Sequence, residues 1–437
     1  MTSLAFPDAE SLRTASELRI DDYPAFATVT RDRELDPIED VPAAARTAVC
    51  RMDLDGLPPG AEIGLTAGSR GINDKPAILS AVVKELHDRG YEPFVLAAMG
   101  SHGGATADGQ RETLAALGIT EDTVGCPIRT SMAVESVTVD ELGRPVFLAA
   151  DATAADGIVL INRIKPHTDF TGPVESGLCK MAVVGLGKHR GAESFHNAGL
   201  AGDFADVLLD RTERLLEAAP IIGGIAIVED AAKQATHIEG MAAPEILDRE
   251  PSLLEMAYDE LPTLPVDDLD LLIVDAIGKD ISGTCMDTNV LGRYRFHGEP
   301  EPEHPQITRV YARSLTGASH GNAVGLGLAD FVHAQLIEAT DMTDTYINIA
   351  TSGEPGRAKI PFVVPDDATA LRVIPSTLGR TDFATVRIAR IRNTLDPDTL
   401  VVSEAVATEL REHPACSVGS LEPLTLDDQT LPADAYR

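Results

Sequence analysis

AEIGLTAGSRGINDKPAILSAVVKELHDRGYEPFVLAAM, residues 61–99, is the stretch whose reading decides the fold. Residues 61–66 (AEIGLT) read as a strand, and a loop of mostly small and polar residues, AGSRGINDKP (67–76), follows. A helix is predicted from about Lys75 to Arg89. Asn73 or Asp74 is placed to cap it, Pro76 falls in the first turn where no N–H is needed, and Gly90 ends it. Residues 93–99 (PFVLAAM) are the next strand. Strand, loop, helix and strand in that order make a βαβ unit.

The pattern continues outward. The loop GSHGGATADG leads into a helix at 108–117. GIVLINR (157–163) and GGIAIVED (223–230) are nearly continuous apolar runs, as strands buried on both faces of a parallel sheet should be. LPTLPVDD (261–268) reads as a linker, after which DLLIVDAIG (270–278) restarts the alternation. Helical segments around 320–338 and strands near 370–374 and 398–402 complete it. The expectation is an α/β protein of two domains with mainly parallel sheets and a cleft between them. The first, 1–265, would be catalytic and cofactor-binding, and the second, 266–437, would close the cleft.

Composition bounds the function. Aromatic residues are 4% and Trp is absent, so the cores must be aliphatic. A formal net charge of −33 repels nucleic acid and anionic membranes. Only eight residues are Lys, and this scarcity together with the acidic excess suggests a surface adapted to high salt, where screening is strong. Five scattered Cys without a CxxC pair speak against an iron–sulfur cluster or zinc ribbon and fit a reducing cytoplasm. The N-terminal segment lacks the charge and apolar run of a signal peptide, and no apolar run is long enough to span a membrane. A cytoplasmic protein is expected.

Ligands of open parallel sheets sit beyond the carboxyl ends of the strands, so the loops that follow strands hold the candidate residues. In the loop 67–76 the small residues permit close backbone approach, and Ser69 and Arg70 offer a hydroxyl and a bidentate fork for carboxylate or phosphate. The alternative is a tight turn whose Arg makes a surface ion pair. His102 follows an apolar strand among Gly100, Gly103 and Gly104, a setting suited to acid/base work or simply to bonding the loop backbone.

The densest region is LINRIKPHTDFTGPVESGLCKMAVVGLGKHRGAESFHNAG (160–199), with three of the eight Lys and three of the eleven His. His167, Lys180, His189 and His196 are placed to hold a metal and a covalently attached cofactor, or else to form a metal-free anion-binding stripe; the role of His189 stays open. IGKDISGTCMDTNVLGR (277–293) contributes Lys279 from the second domain. No P-loop, GxGxxG, GxSxG, HExxH or EF-hand pattern occurs, and the remaining His share no spacing.

Taken in order, these loops resemble the nickel-dependent lactate racemase family, in a divergent form. The family's Asp-His-Thr-Arg loop corresponds to Ala67-Gly68-Ser69-Arg70, which keeps the Arg and lacks the Asp. Its Gly-x-His motif matches Gly100-Ser101-His102, and its Ser-Gly-x-x-Lys tether matches Ser176-Gly177-Leu178-Cys179-Lys180. His196 lies sixteen residues past the tether, where the family has its nickel ligand. His167 precedes Lys180 by thirteen residues, three more than in the family, and the family's substrate-side Trp has no counterpart.

The resemblance implies two α/β domains and a nickel-pincer nucleotide, a pyridinium-3,5-bisthiocarboxylic acid mononucleotide carrying nickel. The cofactor would be attached to Lys180, contacted by Ser69, Arg70 and Gly177, ligated by His196, and installed by cofactor-maturation proteins. It also implies His102 and His167 as the acid/base pair, with Arg70 and Lys279 holding the carboxylate of a small 2-hydroxy acid. The activity implied is racemisation or epimerisation by reversible hydride transfer. Two other readings of the same residues stand beside it: a Schiff-base lyase or epimerase acting through Lys180, and a non-catalytic binder of anionic metabolites or nucleotides.

Overall fold

The computed structural model describes residues 5–436 other than Asp55, Thr381 and Asp434, with the side chains of residues 351 and 352 left aside. The chain forms two compact α/β units. A middle unit spans residues 35–261, and a composite unit joins residues 1–34 to residues 262–437.

In the middle unit a six-stranded sheet runs in the order Ile128–Arg129, Glu92–Ala97, Glu62–Ala67, Gly157–Arg163, Ile221–Glu229, Ala235–Ala242. All neighbours are parallel except the last pair, a hairpin. The helix expected after the first strand is Lys75–Asp88, with Pro76 at its start and Gly90 beyond its end at φ +86°. It buries Ile78, Leu79, Val82 and Leu86, a one-sided apolar face, against Ile63, Leu65, Val95, Val159 and Ile161. Trimming Leu86 to Ala would cost about 2–5 kcal/mol. The fully buried members of this core are aliphatic or sulfur-containing, as the scarcity of aromatic residues requires.

The composite unit carries an eight-stranded sheet ordered Phe362–Val364, Phe331–His333, Gln306–Leu315, Asp268–Ile277, Ile388–Ile391, Thr399–Ser403, Phe26–Arg31, Cys416–Val418. The first five strands are parallel and the other three pair antiparallel. This revises the expected domain limits. The second boundary falls at 261/262, inside the Pro-containing linker. The first 34 residues, however, lie with the C-terminal part, because Phe26–Arg31 completes its ladder between Thr399–Ser403 and Cys416–Val418.

Two local expectations also change. Residues near 370–374 are not a strand. The helix Asp367–Val373 forms there, because Asp366 caps it by accepting from Thr369 N at 2.7 Å. The helical run expected at 320–338 is broken at Gly321 and Gly325 (φ +85° and +94°) and becomes a short 3₁₀ turn, the Phe331–His333 strand and the helix Ala334–Glu338. Among the described residues no helix is long and apolar enough to cross a membrane.

Candidate active site

Three loops of the middle unit follow the carboxyl ends of its parallel strands. The loop after Glu62–Ala67 is anchored from below. Asn73 N donates to Glu229 Oε1 at 2.8 Å, Arg163 pairs with the same carboxylate, and the buried Lys75 donates to Ile161 O at 2.5 Å. Burial lowers the Lys75 ammonium to about 7, with Glu229 opposing. Above this anchor Arg70 is exposed and Ser69 Oγ lies 3.0 Å from His102 Nδ1. Two loops expected to act together thus meet through a side-chain hydrogen bond.

The His102 loop is fixed by Gln110 and Lys188. Gln110 Nε2 donates to Gly100 O at 3.0 Å, and the buried Lys188 donates to Gln110 Oε1 (3.1 Å) and Ala97 O (2.5 Å). Gly100 and Gly103 take φ +58° and +67°, which side chains other than glycine's rarely adopt. Lys188 was counted among the dense basic region; its burial under the neighbouring loop depends on a partner 78 positions away.

The third loop is closed at its base, where Lys165 and Ser176 exchange backbone hydrogen bonds (2.8 and 3.2 Å). This bridge brings His167 back onto the tether segment, and Lys180 Nζ contacts His167 Nε2. His167 Nδ1 accepts from Asp169 N at 3.1 Å. A ring whose Nδ1 accepts carries its proton on Nε2 when neutral, so Nε2–H donates to the lone pair of an uncharged Lys180 amine.

The electrostatics agree with that reading. Burial lowers Lys180 to about 7; Lys165 and Arg70 push the same way, while Asp169 and Glu175 oppose. Burial, then Lys180, hold His167 well below its usual value. His196, half-buried on the helix Lys188–Leu200, is lowered to about 4 by burial and then by the charge of Lys180. Arg70, His167, Lys180 and His196 therefore share one electrostatic neighbourhood.

His189 does not join them; it is exposed on the first turn of that helix. Lys279 belongs to the composite unit, where its Nζ donates to Gly283 O (2.6 Å) and Asn348 Oδ1 (3.0 Å).

Two buried carboxyl groups shape the tether. Glu175 accepts from His167 N, from Gly172 N (3.2 Å) and from the Tyr258 hydroxyl (2.9 Å), and burial raises it to about 7. Glu250 Oε2 accepts from Cys179 N at 3.0 Å, inside the first turn that carries Lys180. A Cβ on Gly177 would overlap Glu250 Oε1 and stand 2.8 Å from Ile164 Cδ1, so any side chain there would displace the ends of Glu250 and Ile164. Lys180 ends a short helix, Leu178–Lys180, that passes into a π-helical turn, Met181–Gly185. Such turns recur at functional sites.

Among the described residues no group of three His, Cys, Asp or Glu is placed to hold a metal ion.

No protein-family model and no curated protein sequence matches the chain. Among solved structures it is similar to the lactate racemase apoprotein from Thermoanaerobacterium thermosaccharolyticum, at 12% identity and a TM-score of 0.48, over 85% of this chain and 99% of that one.

Proposed function

We propose that the middle unit is the catalytic part of an isomerase that racemises or epimerises a 2-hydroxy acid, with Lys180 as the covalent anchor of a nickel-pincer nucleotide. The observation that carries the reading is the contact of Lys180 Nζ with His167 Nε2, with the ammonium lowered to about 7. Such a lysine is a nucleophile at neutral pH, which cofactor attachment requires. The order of Arg70, Gly100-Ser101-His102, Ser176-Gly177-Leu178-Cys179-Lys180 and His196 supports it.

The residues present fit the cofactor. Lys180 would hold it, His196 would give the metal its protein ligand, and the cations Arg70 and Lys165, which both act on Lys180, suit a phosphate-bearing group. Bound there, the group supplies a reversible acceptor for the hydride on the substrate's α-carbon.

The chain's own part is orientation and proton handling. Arg70 takes the substrate carboxylate in its two-pronged fork. His102 serves as the base for the hydroxyl proton, and His167, in its protonated form, serves as the acid on the other face; the reverse reaction exchanges these roles. Two bases are needed because inversion requires access to both faces of the carbon. Held in a thioamide, Lys180 would carry no charge and would no longer depress His167.

The test is a cofactor-loaded protein incubated with single enantiomers of 2-hydroxy acids and followed by chiral chromatography. His102→Ala and His167→Ala are expected to lose about 100-fold or more in turnover with the attached mass unchanged. Wild-type rates in both variants would end the proposal. A neutral Lys180 also suits Schiff-base chemistry. Borohydride trapping of a keto acid on Lys180 of loaded protein would favour that second reading, since an anchored lysine has no free amine.

A further inference from the structure

The middle unit holds a lysine to which the proposed function gives no part. Lys188 opens the helix Lys188–Leu200, and both it and Gln110 are fully buried. The chain has only eight Lys. An ammonium taken out of water loses its hydration, and fixed acceptors must replace it. Here they are Ala97 O at 2.5 Å and Gln110 Oε1 at 3.1 Å. Burial lowers the ammonium to about 8 against the opposing charge of Asp151, so it stays mostly protonated at neutral pH.

The backbone at this position is unusual as well. Lys188 takes φ +53°, a left-handed conformation that residues with a Cβ rarely adopt. Such conformations persist where the surroundings over-determine them, and they cluster at functional sites.

The bonds of Lys188 hold the loop of His102. Gln110 passes the link on: its Nε2 donates to Gly100 O at 3.0 Å and, more weakly, to His102 O at 3.4 Å. Gly100 N donates at 3.3 Å to Gly185 O, at the end of the π-helical turn that follows Lys180. The loop is thus tied twice to the segment 180–196, once through Gly185 and once through Lys188. That segment carries Lys180 at one end and His196 at the other.

We infer that Lys188 is a positioning residue: its ammonium, acting through Gln110, fixes the place of His102 relative to Lys180 and His196. The inference deepens the function proposed above and rests on it for the part of His102 as base. A lysine that merely completed the core would leave proton transfer at His102 unaffected once the fold is intact, and this difference can be measured.

Lys188→Met and Gln110→Met keep the side-chain length and remove the link. In the full chain, hydrogen exchange read by mass spectrometry should show the amides of 100–106 exchanging at least about tenfold faster in both variants, with the sheet strands unchanged. In cofactor-loaded protein, kcat should fall about 10–100-fold, since misplacing a reacting group by an ångström costs up to about 100-fold. KM should stay within about twofold, because Arg70, on another loop, still takes the carboxylate. The attached mass and the nickel content should not change. Added to His102→Ala, Lys188→Met should cost no more than about twofold further, since a strut for an absent base positions nothing.

Unchanged exchange at 100–106 in both variants would overturn the inference, as would a loss of kcat that multiplies with that of His102→Ala. Gln110→Met leaves the bond from Lys188 to Ala97 in place and decides alone if Lys188→Met does not fold. Loaded wild-type protein that converts no 2-hydroxy acid would instead refute the function proposed above, and the exchange result would still decide whether Lys188 holds the loop.

Discussion

Raising the pH through neutrality should turn Lys180 into a nucleophile well before an ordinary lysine. With its ammonium lowered to about 7, Lys180 is about 90% neutral at pH 8, against roughly 0.3% for a lysine of unperturbed pKa, a difference of about 300-fold in reactive form. Burial is the main cause, and the surrounding charges set the remainder. Trace acetylation with acetic anhydride, quantified on the Lys180 peptide by mass spectrometry and referred to a free lysine peptide, reads the titration directly. The midpoint should lie near 7. Asp169→Asn should lower it further, because that carboxylate favours the charged amine, and Lys165→Met should raise it, because that ammonium opposes it. A midpoint above 9, or one that ignores Asp169→Asn, would refute both the neutral amine and the donor assignment at His167 Nε2.

Gly177→Ala should destabilise the middle unit by about 2–4 kcal/mol, from overpacking and from displacing the carboxylate that caps Cys179, as urea denaturation would show. An unchanged midpoint would mean that Glu250 yields freely. Lys75 gives a pH signature of definite sign. Its folded pKa, about 7, is below its unfolded value, so the unfolded chain binds more protons between about pH 7 and 10.5 and stability rises with pH across that window. Wild-type stability measured against Lys75→Met should climb there by at most about 1.4 kcal/mol per pH unit and be flat below it; a flat difference throughout would contradict the buried ammonium.

The sheet strands were legible because strands buried on both faces must be apolar throughout. GIVLINR marks its strand to the residue, and 61–66 and 223–230 are each displaced by only one or two positions. The place of the first 34 residues was not legible. Phe26–Arg31 finds its partners some 370 positions later, and local composition does not encode such a pairing. Within the candidate site, Lys180, His167 and His196 stood out as basic residues in a chain poor in them. Glu175, Glu250 and Tyr258 did not, since Tyr258 reaches Glu175 across 83 positions and Glu250 reaches Cys179 across 71. Asp169 was within the quoted stretch, but an acidic residue carries no signal in so acidic a chain. His189, whose role the sequence left open, is turned to solvent by its helix.

The central claim, that Lys180 anchors a nickel-bearing nucleotide, is tested most directly by intact-protein mass spectrometry with nickel analysis on protein made alongside cofactor-synthesis enzymes. A mass increase of a mononucleotide's size, mapped to Lys180 and accompanied by about one nickel per chain, is the result expected of covalent attachment. An unmodified, nickel-free chain, under conditions that load an established nickel-dependent lactate racemase, would contradict it.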